Sequence, residues 1–343
     1  MDAILNQPGR QTTYRIGEPS EIAAARRAGN ELARKLGFDE TRTGQLALVI
    51  TEAATNIVKH ALHGEILLRP VQSGATKGVE VIALDAGPGI ANLGRQMEDG
   101  NSTAGSYGVG LGAMRRLAHE FDVYTSPGKG VVLWTILWSA PAAVLAPLWQ
   151  IGAVCLPLAG EDACGDAWYA IAGRDSLSVL MADGLGHGPL AAAASQAALA
   201  AADGDSATLP GQMMQNMHLA LRNTRGAAMA IARIDVEQGQ LRFAGVGNIA
   251  GCVFETAARR HLLSHNGIVG SNLRKVQEYL LPWQAGALLI LHSDGVGTRW
   301  NLDLYPGLER CHPGVIAALL YRDFARQRDD VGVLVIRDQT GAA

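Results

Sequence analysis

The stretch MADGLGHGP, residues 181–189, decides how the rest of the chain is read. An apolar approach through Leu177, Val179 and Leu180 ends in an acid, Asp183; glycines follow at 184, 186 and 188, then Pro189 and an alanine-rich run. A buried strand of this kind delivers a carboxylate into a tight turn whose backbone approaches a metal or phosphate with no Cβ in the way. An Asp-Gly pair alone is also ordinary turn chemistry. Three further settings favour the site: Asp166 follows Gly165 in CGDAWYAI, Asp294 lies between ALLILHS and Gly295, and Asp329 with Asp330 precedes VGVLVI. Carboxylates at strand ends suit hard divalent cations, which take oxygen ligands and keep several waters.

At 343 residues and 48% apolar content the chain has core enough for about two domains. A formal charge of -3 gives no general attraction to nucleic acid or anionic membrane. No basic start precedes an apolar core, and the apolar stretches are too short or too alanine-rich to span a bilayer, so a cytoplasmic protein is expected. Cys155, Cys164, Cys252 and Cys311 show neither CxxC spacing nor clustering with histidine and are read as reduced thiols.

The C-terminal half resembles the metal-dependent PPM-type serine/threonine phosphatases, in their compact SpoIIE-like bacterial branch. The resemblance rests on GEDACGDAWYA (160–170), ADGLGHGPLAA (182–192), RGAAMAIARID (225–235), FAGVGNIAG (243–251), SHNGIVG (264–270), LHSDGV (291–296) and RDDVGVLVIR (328–337). It implies an α-β-β-α sandwich in which Asp183 bridges two Mn²⁺ or Mg²⁺ ions, the Gly184 carbonyl binds one, and Asp166, Asp294 and Asp329 complete the shell. Asp330 stays the alternative to Asp329. Such a pair of ions activates a water for attack on phosphoserine or phosphothreonine with no covalent intermediate. His187 is read either as a proton donor or as a loop-fixing residue, and Asn248 with 265–267 as shaping nearby loops. Two departures stand out: Gly332 replaces the small hydroxyl residue often found after the last acid pair, and Ala167 precedes Trp168 and Tyr169.

Residues 1–20 read as a frayed arm or an edge strand. A helix capped by Ser20 runs to Leu36, and a second starts near Asp39 or Thr41 and presents Leu46, Val49, Ile50, Ala53, Ile57 and Val58 inward. On that second helix Glu52, Asn56 and Lys59 or His60 share one side, which fits a solvated stripe as well as a site. Downstream, GVEVIALDAGPGI ends a strand in Asp85, Gly87 and Gly89, and STAGSYGVGLGAMRRL places Gly105, Gly108, Gly110 and Gly112 ahead of a helix. Glycines leading into a helix N-terminus offer free N–H groups to phosphate. Neither a dinucleotide fingerprint nor a GxxxxGK[ST] loop is present.

Taken together, TEAATNIVKHA, DAGPGI and GSYGVGLGAMRRL resemble the N, G1 and G2 boxes of the GHKL (Bergerat) α/β sandwich. The likeness is nearest to the anti-sigma-factor and stress switch serine kinases and implies ATP with Mg²⁺. Asn56 holds Mg²⁺ in that reading, Glu52 orients or deprotonates the incoming hydroxyl, and Asp85 accepts a hydrogen bond from the adenine amino group. Gly87 and Gly89 shape the turn, and Gly108, Gly110 and Gly112 close over the phosphates. Lys59, His60 and Arg115 are helpers or surface residues. Only about twenty residues precede the first helix, so a histidine kinase with its phosphoacceptor hairpin is not expected.

The expected division is 1–140 for the ATP-binding half, 141–149 (SAPAAVLAPLW begins at 139) as connector, and 150–343 for the phosphatase. The function implied is partner switching in stress or sigma-factor regulation: phosphorylation and dephosphorylation of a STAS-type regulator or paired protein, by a chain whose kinase relatives often dimerise. Two rivals stay open. One is an ATP-gated phosphatase whose GHKL half transfers nothing, and the other is a sequestering scaffold without chemistry, which the intact acid set disfavours.

Overall fold

The computed structural model describes residues 3–6, 10–97, 110–140, 148–202, 207–255, 258–273 and 275–340. It divides into two compact units, each drawing on two or more stretches of sequence. One comprises Gly9–Ala143 with Asn301–Arg322; the other comprises Met1–Pro8, Val144–Trp300 and Asp323–Ala343. Two stretches thus group away from their place in the sequence. Strand β1 (Ala3–Asn6) adds to the edge of a sheet made by the C-terminal half, and 301–322 is anchored on the N-terminal sheet.

The N-terminal unit is built on β2 (Thr12–Ile16), β3 (Gly64–Ser73), β4 (Thr76–Asp85), β5 (Glu120–Thr125) and β6 (Val131–Trp138). They form an antiparallel sheet in the order β2-β3-β4-β6-β5. Helices α1 (Pro19–Lys35), α2 (Glu40–Asn56), α3 (Leu93–Met97) and α4 (Leu111–Leu117) accompany it. Alternate strand residues Ile66, Leu68, Val79, Val81, Leu133 and Leu137 meet Ala25, Ala33, Leu46, Val49, Ile50 and Ala53 in one core, the inward face expected of α2. Gly29 lets the helices close up, since a Cβ there would lie 2.2 Å from Ile50.

The start of α1 differs from the expectation at Ser20. Its N-cap is Glu18, paired with Glu21 in a capping box, because the carboxylates reach the free N–H groups of the first turn. Asp39 caps α2 as expected, accepting from the Arg42 N–H at 2.6 Å. After Asn56 the helix widens into a π turn, Ile57–Ala61, so Lys59 and His60 leave the register that places Glu52 above Asn56.

The C-terminal unit stacks two antiparallel sheets. Its strands are β7 (Trp149–Leu156), β8 (Asp166–Ala172), β9 (Ser176–Gly184), β10 (Ala227–Asp235), β11 (Gln240–Val246), β12 (Ala250–Glu255), β13 (Ala258–Leu262), β14 (Glu278–Pro282), β15 (Leu288–His292) and β16 (Val331–Asp338). One sheet runs β1-β8-β9-β10-β11-β14 and the other β13-β12-β15-β16-β7. Trp168, Ala170, Val179 and Met181 face Leu289, Leu291, Leu334 and Ile336 between the sheets. The alternate residues Tyr169, Ile171, Leu180 and Ala182 face α5 (Pro189–Ala200) and α6 (Pro210–Ala220) through Ala198, Met213, Met214 and Met217. Helix α7 (Pro313–Phe324) groups, through Arg322, with the N-terminal unit. No helix among the described residues is long and apolar enough to cross a membrane.

Candidate functional site

Strand pairing does most of the assembly in the C-terminal unit. Asp166 opens β8 and stands directly across from Asp183 near the end of β9, and opposed residues on antiparallel strands sit about 5 Å apart. The chain leaves β9 through Gly184, whose N–H donates to the Gly165 carbonyl at 3.0 Å. A Cβ on Gly184 would lie 2.1 Å from the Ala191 carbonyl oxygen, so α5 approaches this turn only because the residue is glycine. Burial, and then the charges of Asp294, Asp329 and Asp330, push the Asp183 carboxyl up to about 7. Asp166 is driven well above the carboxylate range by burial and by Asp183.

The structure separates the acid pair. Asp330 is buried, with its two oxygens accepting the Leu158 and Gly165 N–H groups, each at 2.7 Å. Asp329 is half-buried, and its Oδ1 accepts the Asp330 N–H at 2.9 Å. Asn248 donates to Asp294 Oδ2 at 2.6 Å. His187 is held by Glu161, Nδ1 to Oε1 at 2.8 Å. His265 bonds Tyr279 at 2.7 Å and closes the loop onto Gly247.

Ser293 is the residue that sequence reasoning missed. Its hydroxyl donates to Asp166 Oδ2 at 2.6 Å and accepts the Gly332 N–H at 3.0 Å. A Cβ on Gly332 would lie 2.5 Å from Met181 and 3.0 Å from Asp166 Oδ2. The hydroxyl absent at 332 is therefore supplied from the neighbouring strand, and only its place in LHSDGV hinted at it. Among the described residues no three His, Cys, Asp or Glu side chains close into a ready-made metal cage; the acids form an open set.

In the N-terminal unit, Glu52 and Asn56 are half-buried one turn apart on α2. Asp85 ends β4, and its Oδ1 accepts the Gly87 N–H at 2.8 Å. Burial pushes this carboxyl up, opposed by the Gly87 and Val131 N–H groups and then by the charges of Arg322 and His60. The following turn is clamped to the β5–β6 connection: Gly128 donates to the Pro88 carbonyl at 2.7 Å, and Ile90 to the Thr125 hydroxyl at 2.8 Å. Gly89 has φ +72°, and a Cβ there would lie 2.3 Å from the Ser126 carbonyl oxygen. Gly110 caps α4 and Gly112 is buried within it; Gly105 and Gly108 lie outside the described residues.

Comparison with known proteins matches these two constellations separately. Residues 17–136 fit the histidine kinase-like ATPase domain, and residues 173–339 fit the stage II sporulation protein E (SpoIIE) family. The serine/threonine-protein kinase RsbT of Bacillus subtilis (strain 168) is 38% identical over 128 residues, which is 37% of this chain and 96% of that protein. The phosphoserine phosphatase RsbX of the same organism is 27% identical over 138 residues, 40% of this chain and 69% of that protein. A solved structure from work on the bacterial stressosome as a modular system is similar at TM-score 0.52 and 32% identity, covering 55% of this chain and 99% of its own. A structure of RsbX in complex with magnesium shares the fold at TM-score 0.51 and 22% identity, covering 55% of this chain and 95% of that one. The chain accordingly belongs to the histidine kinase-like ATPase family in its N-terminal part and to the SpoIIE, PPM-type phosphatase family in its C-terminal part.

Proposed function

We propose that the C-terminal unit removes phosphate from phosphoserine or phosphothreonine on a STAS-type regulatory protein, and that the N-terminal unit uses ATP and Mg²⁺ to phosphorylate the same or a paired regulator. The observation that carries the first half is the setting of Asp183, raised to about 7 by burial together with three neighbouring carboxylates. An all-oxygen set of like charges fits Mg²⁺ or Mn²⁺. Asp166, Asp183, Asp294, Asp329 and the Gly184 carbonyl are the groups that would hold two ions, with Asp330 fixing the loops around them. The ions, when bound, supply an activated water and neutralise phosphoryl charge. The chain's own part is positioning: Ser293 holds Asp166, Asn248 holds Asp294, and Glu161 holds His187 beside the acids.

In the N-terminal unit, Glu52 would orient or deprotonate the regulator's hydroxyl, and Asn56, one turn on, would hold Mg²⁺. Asp85 would receive the adenine amino group in the turn shaped by Gly87 and Gly89, and Gly110 and Gly112 would meet the phosphates. Positioning and charge neutralisation are what phosphoryl transfer asks of a protein. The kinase RsbT and the phosphatase RsbX are separate proteins among the relatives; one chain carrying both sets a single partner's phosphorylation level.

Intact mass of a STAS-domain partner tests the reading. With Asp183→Asn protein and Mg·ATP the partner gains a phosphate, and wild-type protein with Mn²⁺ then removes it. A partner that is never phosphorylated but is cleared of chemically added phosphate leaves the ATP-gated phosphatase. That second reading is favoured by one contact, Arg322 on the Asp85 carbonyl, since Arg322 belongs to the stretch between Asp294 and Asp329. Glu52→Ala separates the two: transfer disappears while ATP still binds if Glu52 acts on the hydroxyl.

A further inference from the structure

The stretch between the acids Asp294 and Asp329 leaves the sheets that carry them. Its residues Asn301–Arg322 fold with the N-terminal unit, although they lie inside the sequence matched to the phosphatase family. Specific contacts hold them there. The His312 N–H donates to Asp122 Oδ2 at 2.5 Å, and its ring stacks on Trp134 with centroids 3.5 Å apart. Gly314 permits that approach, since a Cβ there would lie 2.4 Å from the indole. Near the end of α7 the Tyr321 hydroxyl donates to Glu65 Oε2 at 2.9 Å, and Arg322 Nη1 donates to the Asp85 carbonyl oxygen at 2.7 Å.

The last contact differs from the others in what it touches. The Asp85 carbonyl is enclosed, because a Cβ on the facing Gly130 would lie 2.0 Å from its oxygen. A guanidinium bonded to it is a charged donor, about twice as strong as a neutral one. Two residues on, Gly87 holds the Asp85 carboxylate, so the backbone that Arg322 fixes is the one from which both the carboxylate and the glycine turn project. RsbT has 96% of its length matched within 128 residues and so has almost nothing left to supply such a segment.

We propose that Arg322 is a positioning residue of the nucleotide site, so that adenine recognition in this chain depends on both halves of its sequence. The proposal rests on the reading of Asp85 as the adenine acid. Asp85 accepts from the adenine amino group and repels the guanine carbonyl at the same place, so loosening its backbone weakens ATP binding and narrows the preference over GTP. By linkage, bound ATP tightens the docking of α7 in turn.

Calorimetric titration of the full chain with Mg·ATP and Mg·GTP tests it. Arg322→Ala is expected to bind ATP about tenfold more weakly, with a reduced ATP-over-GTP ratio. Arg322→Lys restores most of both, and Tyr321→Phe, which removes a neighbouring anchor of the same helix, leaves both near wild type. Hydrogen exchange should show the amides of 313–322 gaining protection with ATP in wild type and not in Arg322→Ala. Arg322→Gln substitutes where Arg322→Ala does not fold. Wild-type affinity and base preference in Arg322→Ala, or an equal loss in Tyr321→Phe, overturns the proposal and leaves the Asp85 reading standing. Wild-type protein that binds no ATP overturns both.

Discussion

Asp85 and Asp183 are the same local device placed in opposite surroundings. Each lies at a strand end, each is followed by a glycine whose Cβ position is blocked by backbone, Gly89 in one case and Gly184 in the other, and each is raised by burial. Their charged and polar neighbours act in opposite directions. Around Asp85 the influences next in size to burial are two backbone N–H groups and the charges of Arg322 and His60, all of which favour the carboxylate. Around Asp183 they are three more carboxylates, all of which oppose it. The first setting suits a single hydrogen bond accepted from a neutral base, and the second suits divalent cations. An acid-glycine turn read in one dimension names a site, and its neighbours in space decide the ligand.

The largest effect that separates the two is the cost of charging Asp183 without a cation. With its carboxyl raised from 3.8 to about 7, this group favours the folded state fully below pH 4, and that contribution is lost as pH rises through 7. The cost above pH 7 is on the order of 4 kcal/mol. Denaturant unfolding in chelator should therefore show Asp183→Asn more stable than wild type at pH 8, with the difference gone near pH 4. Added Mn²⁺ should stabilise wild type and leave Asp183→Asn unmoved. A wild type that is the more stable at pH 8 in chelator breaks the comparison.

A smaller effect belongs to Ser293. Residues that orient metal ligands contribute about tenfold or more to metal affinity, so Ser293→Ala should weaken Mn²⁺ binding by about that factor and Ser293→Thr should restore it. ATP binding serves as the control and stays at the wild-type value. If Ser293→Ala binds Mn²⁺ as wild type does, the hydroxyl only fills space between Asp166 and Gly332.

Both turns, the strands leading into them and the inward face of α2 were legible because period and glycine placement are local signals. Four features were not. The capping box at Glu18 and Glu21 displaced Ser20, since either residue type satisfies the first-turn N–H groups. The π turn at Ile57–Ala61 shifts Lys59 and His60 with no residue pattern to announce it. Asp330 and Asp329 are neighbours of identical chemistry, and only the Leu158 and Gly165 N–H groups distinguish them. The run from Val315 to Leu320 is buried at every residue, so its apolar pattern marks a core helix without saying which sheet receives it.

The most direct measurement is a crossed titration: Mn²⁺ and Mg·ATP, each into wild type, Asp85→Asn and Asp183→Asn, by calorimetry. The account predicts a double dissociation, with ATP binding lost only in Asp85→Asn and Mn²⁺ binding at the acid set lost only in Asp183→Asn. Asp183→Asn protein that still takes up Mn²⁺ with wild-type affinity, or Asp85→Asn protein that still binds ATP as wild type does, would contradict it.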